Sequence, residues 1–274
     1  MQHLKVVACA LSMLLAKKCY ASDPLEDFYK YGELSDAEIH QKHQGDLLYG
    51  DVEFGLTASN GNKESTAFKL KSNVYQDFAK WRNHFKLDAL YREESDNDTG
   101  QNEVSASRYF VSGQGNYKVG QDNASLFLYG DYLNDKFSGK DYTTTAALGY
   151  GNRLYEGSKN TVDFDIGPGL YLSKTDKETE LAQGKPRLKQ GQLMRIALQW
   201  ERNISKRTRF NQDVSMEVSL SGLNDRLISE TALVSQVLGG VSLKMSYVYR
   251  YNSQPEEDKL KVDTELGATL VYSF

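Results

Sequence analysis

The sequence predicts an all-β fold, a 12-stranded antiparallel up-and-down transmembrane β-barrel behind a cleaved signal peptide. Three observations predict it. From residue 47 onward apolar and polar residues alternate with period two, segment after segment. The links between segments alternate between short and long. Among 274 residues there are 18 Tyr and 22 Gly but only four Pro, and no apolar run reaches the ~18 residues of a spanning helix.

The first 21 residues read as an export signal. Lys5 gives a positive start, Val6 to Ala16 is apolar apart from Ser12, and Cys19-Tyr20-Ala21 sets small residues for cleavage before Ser22. Cys19 follows Lys17-Lys18, not the small residues a lipoprotein signal needs. Both cysteines, Cys9 and Cys19, leave with the peptide, so the mature chain holds together without disulfides. Loss of Lys5, Lys17 and Lys18 leaves 30 basic against 37 acidic residues, a formal charge of -7. A net acidic chain without a basic stripe excludes nucleic acid as the expected partner.

Residues 22–46 form a separate N-terminal periplasmic segment. Ser35-Asp36-Ala37-Glu38 matches a capping box and predicts a short helix. His40 and His43 stand at i, i+3 without a third ligand, which reads as a solvated face, so no metal and no cofactor are expected.

The barrel proper spans 47–274, in twelve segments: 47–58, 65–77, 81–93, 103–119, 124–134, 141–155, 161–173, 191–203, 208–220, 226–238, 241–252 and 259–274. Gly113 and Gly115 thin the alternation of the fourth. In the seventh, Val162, Phe164, Ile166, Pro168, Leu170 and Leu172 oppose Asp163, Asp165, Gly167, Gly169, Tyr171 and Ser173. Pro168 cannot donate to a ladder, which predicts a bulge or kink there. The eighth sets Met194, Ile196, Leu198 and Trp200 against Arg195, Ala197, Gln199 and Glu201. The tenth requires Glu230 to face inward. The eleventh sets Val241, Leu243, Met245, Tyr247, Tyr249 and Tyr251 against Ser242, Lys244, Ser246, Val248, Arg250 and Asn252. Side chains alternate across a strand, so each segment separates two different solvents.

A soluble barrel or sandwich alternates as well, with its apolar face inward. Three features favour the inverted arrangement. Aromatic residues gather at strand ends on the apolar face: Trp81, Tyr117, Tyr150, Trp200 and Phe210 near short links, Tyr91, Tyr132, Tyr142 and Tyr251 near long ones. The apolar face is modest, mixing Gly, Ala and Thr with Leu and Val. The last segment reads Val262, Thr264, Leu266, Ala268, Leu270, Tyr272, Phe274. Tyr272 and the terminal Phe274 resemble the closing signal of Gram-negative outer-membrane proteins, which the outer-membrane assembly machinery reads. Short turns to the periplasm and longer loops outward place both termini in the periplasm of a Gram-negative cell. The expected surroundings are outer-membrane lipid and lipopolysaccharide, the latter met by solvated loops such as Asp96-Asn97-Asp98-Thr99-Gly100.

The stretch Tyr49-Gly50-Asp51-Val52-Glu53-Phe54-Gly55-Leu56, followed by Ser59-Asn60-Gly61-Asn62, resembles the first hairpin of the YdiY-like family. That family is described as salt-induced Gram-negative outer-membrane β-barrels and grouped as a domain of unknown function. The likeness runs through the glycine-spaced strands to Phe274. It implies induction by salt or osmotic stress and brings no catalytic residues.

With the apolar parity on lipid, the other parity lines the lumen: Asp51, Glu53, Lys69, Lys71, Arg82, His84, Lys86, Arg108, Asp131, Arg153, Asp163, Asp165, Arg195, Arg209, Asp213, Glu217, Glu230, Lys244, Arg250, Lys261, Asp263 and Glu265. Signs alternate between neighbouring strands, Asp51 and Glu53 beside Lys69 and Lys71, Asp163 and Asp165 between Arg153 and Arg195. Eight strands leave an interior that side chains fill and sixteen leave an aqueous channel, so twelve fall between. So many charges are easier to hydrate than to pair completely. The expectation is a narrow passive pore for ions or small solutes, with both signs on its wall. The alternative is a structural envelope barrel whose charges fill the lumen. No enzyme is expected: a lipid hydrolase needs a base and a nucleophile near the outer surface. His84 instead starts the third strand at a short-link end, between Asn83 and Phe85.

Overall fold

A computed structural model describes residues 47–59, 63–96, 102–119, 123–177, 181, 188–255 and 260–274. The signal peptide, the helix expected within 22–46, His40, His43 and residues 97–101 lie outside the described residues.

Twelve antiparallel strands close into one barrel, each bonded to its neighbours in sequence, with β12 returning to β1. They are β1 (Leu47–Ser59), β2 (Lys63–Asp77), β3 (Trp81–Asp96), β4 (Asn102–Val119), β5 (Ala124–Asp135), β6 (Lys140–Glu156), β7 (Asn160–Thr175), β8 (Leu188–Asn203), β9 (Thr208–Ser219), β10 (Arg226–Leu238), β11 (Val241–Asn252) and β12 (Val262–Ser273). The expected strands are all present. Their long-link ends run further than alternation alone indicates: β1 and β2 extend until three residues, 60–62, separate them. Once two strands pair, each added residue satisfies a further backbone donor and acceptor, so the ladder outlasts the hydrophobic pattern. The last four strands do not follow: β9 stops at Ser219 and not at 220, β10 and β11 keep their expected ends at Arg226 and Asn252, and β12 begins at Val262 and not at 259.

Pro168 produces no bulge. The β6–β7 register stops at Ala147↔Gly169 and resumes unshifted at Tyr150↔Ile166. The missing Pro168 N–H interrupts the ladder, and the two backbones close in instead. A Cβ on Gly149 would lie 2.2 Å from the Ile166 carbonyl oxygen, and one on Gly167 2.1 Å from that of Leu148. Only glycine fits at this pinch. Register shifts occur elsewhere, among them at Arg92/Glu93 and Gln236/Leu238.

The outside of the barrel is apolar. Leu56, Leu128, Leu148, Leu170 and Leu266 are each more than 60% exposed, whereas Glu53, Lys71, Asp131 and Glu217 are buried. This inversion of inside and outside is what lipid as the surrounding solvent requires. Aromatic side chains ring both ends. Trp81 meets Tyr117 edge-on at 5.2 Å, and Trp200 meets Phe210 likewise, both near short links. At the long-link end Tyr109, Tyr132 and Tyr142 stack in a row at 6.0 and 5.7 Å. Tyr109 extends the girdle beyond the residues expected.

Candidate functional site in the barrel lumen

Alternation delivers the charged parity to the interior, and strand curvature decides who meets whom. Glu230 on β10 is the hub of the waist. Its carboxylate accepts from Lys71 Nζ of β2 at 3.0 and 3.1 Å and from Lys244 Nζ of β11 at 2.9 Å, with Lys86 of β3 at 3.8 Å. Lys244 also donates to Glu53 at 2.8 Å, whose other oxygen accepts from Thr269 Oγ1 at 2.8 Å. Lys71 reaches Asp88 at 3.8 Å as well. The Lys71–Glu230 and Lys86–Glu230 contacts span the lumen, since β10 is separated from β2 by β11, β12 and β1 along the wall.

Toward the long-link end, Glu265 on β12 takes Lys69 of β2, Arg250 of β11 at 3.1 Å and Arg108 of β4 at 3.9 Å. A second centre joins β5, β6, β8, β9 and β10. Arg226 donates to Asp131 at 2.9 Å and to Glu217 at 2.8 Å. Asp131 further accepts from Tyr129 Oη at 2.9 Å and from the Thr145 N–H at 2.8 Å. The Arg195 guanidinium lies 3.7 Å above the Tyr129 ring and 3.6 Å from Glu217. Around it one wall is apolar, with Phe127, Tyr129, Ala147, Tyr171, Leu193 and Ala197 buried.

The short-link third is looser. Arg153 grips Asp163 in a two-pronged bond at 2.8 and 3.1 Å, with Arg82 at 3.9 Å from the same carboxylate. Asp77 holds Arg82 at 3.4 Å and Lys118. Beside them runs a layer in which amide side chains meet carboxylates. Gln114 donates to Asp165 at 2.9 Å, and Asn73 donates to Asp51 at 3.1 Å. His84 stacks on Tyr75 at 4.2 Å, and its Nε2 lies 3.2 Å from the Asn73 side-chain oxygen.

Of the residues expected from parity, Glu53, Lys69, Lys71, Asp131, Arg195, Glu217 and Glu230 are buried, whereas Lys261 is exposed and precedes β12; Arg153 and Asp163 pair as neighbours, but other partners differ from those expected. Glu53 lies opposite Lys71 in register yet bonds Lys244 and Thr269. Asp165 answers to Gln114 and Arg195 to Glu217, so the expected Asp165–Arg195 adjacency is not the contact made. Asp263 stands exposed at the long-link rim, opposite Arg250 in register. The same parity also holds Asp88 in the middle of β3 and, extended to the strand ends, Asp77, Lys118 and Arg226. The inward apolar residues carry no polar signal to reveal them.

The model of a family described as protein of unknown function DUF481 matches residues 52–274. The chain belongs to the DUF481 family. It is also similar to the uncharacterized protein YdiY of Escherichia coli (strain K12), 25% identical over 232 residues and covering 82% of each chain. Among solved structures it is similar to the translocator domain of autotransporter NalP from Neisseria meningitidis, at 13% identity and TM-score 0.43, covering 91% of this chain and 96% of that one. It is also similar to the beta domain of the Bordetella autotransporter BrkA, at 17% identity and TM-score 0.38, covering 84% and 99%. The present DUF481 chain is a closed twelve-stranded β-barrel, apolar without and ion-paired within.

Proposed function

We propose that this DUF481 protein is a non-enzymatic barrel of the Gram-negative outer membrane whose lumen is closed at the waist by ion pairs. One observation carries the reading: Glu230 is bonded to Lys71 across the lumen, and both are buried. Charges held this way act as a polar core and leave a solute no continuous water path at that level.

Single-channel recording of the refolded mature protein in a planar bilayer at high salt tests the reading. A folded barrel is expected to be silent, and Glu230→Gln is expected to introduce discrete steps. Steps in the wild type that change with Asp163→Asn would instead establish the narrow passive pore for ions or small solutes. That second reading draws on the partial exposure of Arg82 and Asp163 toward the short-link end, of Glu265 toward the long-link end, and of Lys86 at the waist itself. The family resemblance adds induction by salt stress, checked by transcript level after an osmotic upshift.

Orientation belongs to the same proposal: short links and both termini in the periplasm, long links facing lipopolysaccharide, and the closing strand read by the assembly machinery. Two backbone bonds of 3.0 Å already zip Phe274 to Gly50. The mature chain carries no cysteine, so single cysteines report cleanly. A membrane-impermeant maleimide is expected to label Lys136→Cys on intact cells and to reach Lys159→Cys only after outer-membrane permeabilisation. The opposite pattern would invert the barrel.

A further inference from the structure

The closing seam is zipped over less than half its length. β1 and β12 pair in register from Asp51↔Ser273 to Phe54↔Leu270, with Phe54↔Leu270 the last pair, whereas β1 pairs with β2 through Ser59 and β12 with β11 back to Val262. Gly50 exchanges both backbone bonds with Phe274, so in an antiparallel ladder every second residue from Gly50 points its N–H and C=O at β12. Beyond Phe54 those residues are Leu56 and Ala58. Across the seam they are Ala268, Leu266 and Thr264. The side chains of Leu56 and Leu266 are 65% and 80% exposed on the apolar face, so this edge lies at membrane depth. An unsatisfied backbone group in hydrocarbon costs several kcal/mol.

On the luminal side the gap is latched. Lys69 of β2 passes β1 where Gly55 has no side chain, and ion-pairs with Glu265 of β12. A Cβ on Gly55 would sit 2.9 Å from Thr269 Cγ2, so the latch begins where the zipper ends.

We propose that the upper seam is a lateral docking edge for one further β-strand, an extended segment of five to eight residues with apolar side chains at every second position. Three observations fix the occupant. Among the described residues, the seam-facing groups past Phe54 without a strand partner are backbone donors and acceptors, which another backbone satisfies in full and an acyl chain does not. The edge continues an antiparallel ladder already formed below it. Its side-chain parity sets the apolar positions toward lipid. The Lys69–Glu265 pair then holds the edge shut until the strand arrives. This docking edge rests on the barrel spanning a membrane and is independent of whether the waist conducts.

Residue-resolved hydrogen exchange in lipid nanodiscs is the first arm. Amides of Leu56, Ala58, Leu266 and Ala268 are expected to exchange on the order of a hundredfold faster than those of Val52, Phe54, Leu270 and Tyr272. The second arm is disulfide trapping. The probe is a synthetic peptide of residues 262–274 carrying Ala268→Cys, offered to a Leu56→Cys protein. An adduct is expected, with higher yield when Glu265→Gln opens the latch, and none with a peptide of the same composition whose alternation is scrambled. Equal protection along the whole seam would overturn the proposal. So would fast exchange without an adduct in either background, or adducts as abundant with the scrambled peptide. If a nitroxide-labelled lipid chain, and not the peptide, broadened the Leu56 and Leu266 resonances, the seam would belong to lipid.

Discussion

Glu230→Ala is expected to lower the stability of the folded barrel by about 3–5 kcal/mol, the cost of leaving buried charge without its partner. Three ammonium groups converge on that carboxylate, and of these Lys71 is 1% exposed. Lys244 keeps Glu53 and Lys71 keeps Asp88 at 3.8 Å, so repulsion among the cations is only partly relieved. Heat-modifiable migration on gels, or urea unfolding in lipid vesicles, measures the loss. The double variant Lys71→Met/Glu230→Leu removes both signs and fills the volume, and is expected to recover part of it. A single variant as stable as the wild type would mean that water reaches the waist, and the closed lumen would fall with it.

Arg226→Met is expected to cost a similar amount, about 3–5 kcal/mol, for the opposite sign. Asp131 and Glu217, 6% and 3% exposed, share the Arg226 guanidinium, and among the described residues Asp131 retains Tyr129 Oη and the Thr145 N–H as donors. Arg195 is near Glu217 at 3.6 Å but its face is occupied by Tyr129. Arg226→Lys keeps the charge and loses the planar fork, so it is expected to restore part of the stability. Full rescue by lysine would show that charge alone, without geometry, holds this centre. The same unfolding assays decide.

Much of the barrel is legible in the chain because a strand in a lipid-embedded barrel must show two solvents to its two faces. Met194, Ile196, Leu198 and Trp200 leave no choice of face, and Glu230 could only point inward. What alternation does not carry is distance. Glu230 and Lys71 are 159 residues apart, and whether they meet depends on strand tilt and stagger, which no single segment encodes. Leu126-Phe127-Leu128-Tyr129 is apolar at every position, so Asp131 alone betrays that Phe127 and Tyr129 turn inward. Pro168 announced a disturbance, but its form depended on Gly149 across the ladder, which permits the strands to approach without shifting.

The wide sequence separation of the luminal bonds also constrains the order of assembly. Eleven of the twelve strand pairings join consecutive strands and can form hairpin by hairpin, while the twelfth joins the chain's two ends. The Lys71–Glu230, Asp131–Arg226, Glu53–Lys244 and Lys69–Glu265 contacts link residues 159, 95, 191 and 196 apart. An open sheet can make the neighbour-strand pairs Arg226–Glu217, Lys244–Glu230 and Arg250–Glu265 but none of these four contacts. Entering the bilayer in that state would set incompletely paired ions against hydrocarbon, a cost that falls only when the sheet curls and the remaining partners meet. Curling and insertion must accordingly advance together, and the neutralised interior becomes a record that the circle has closed.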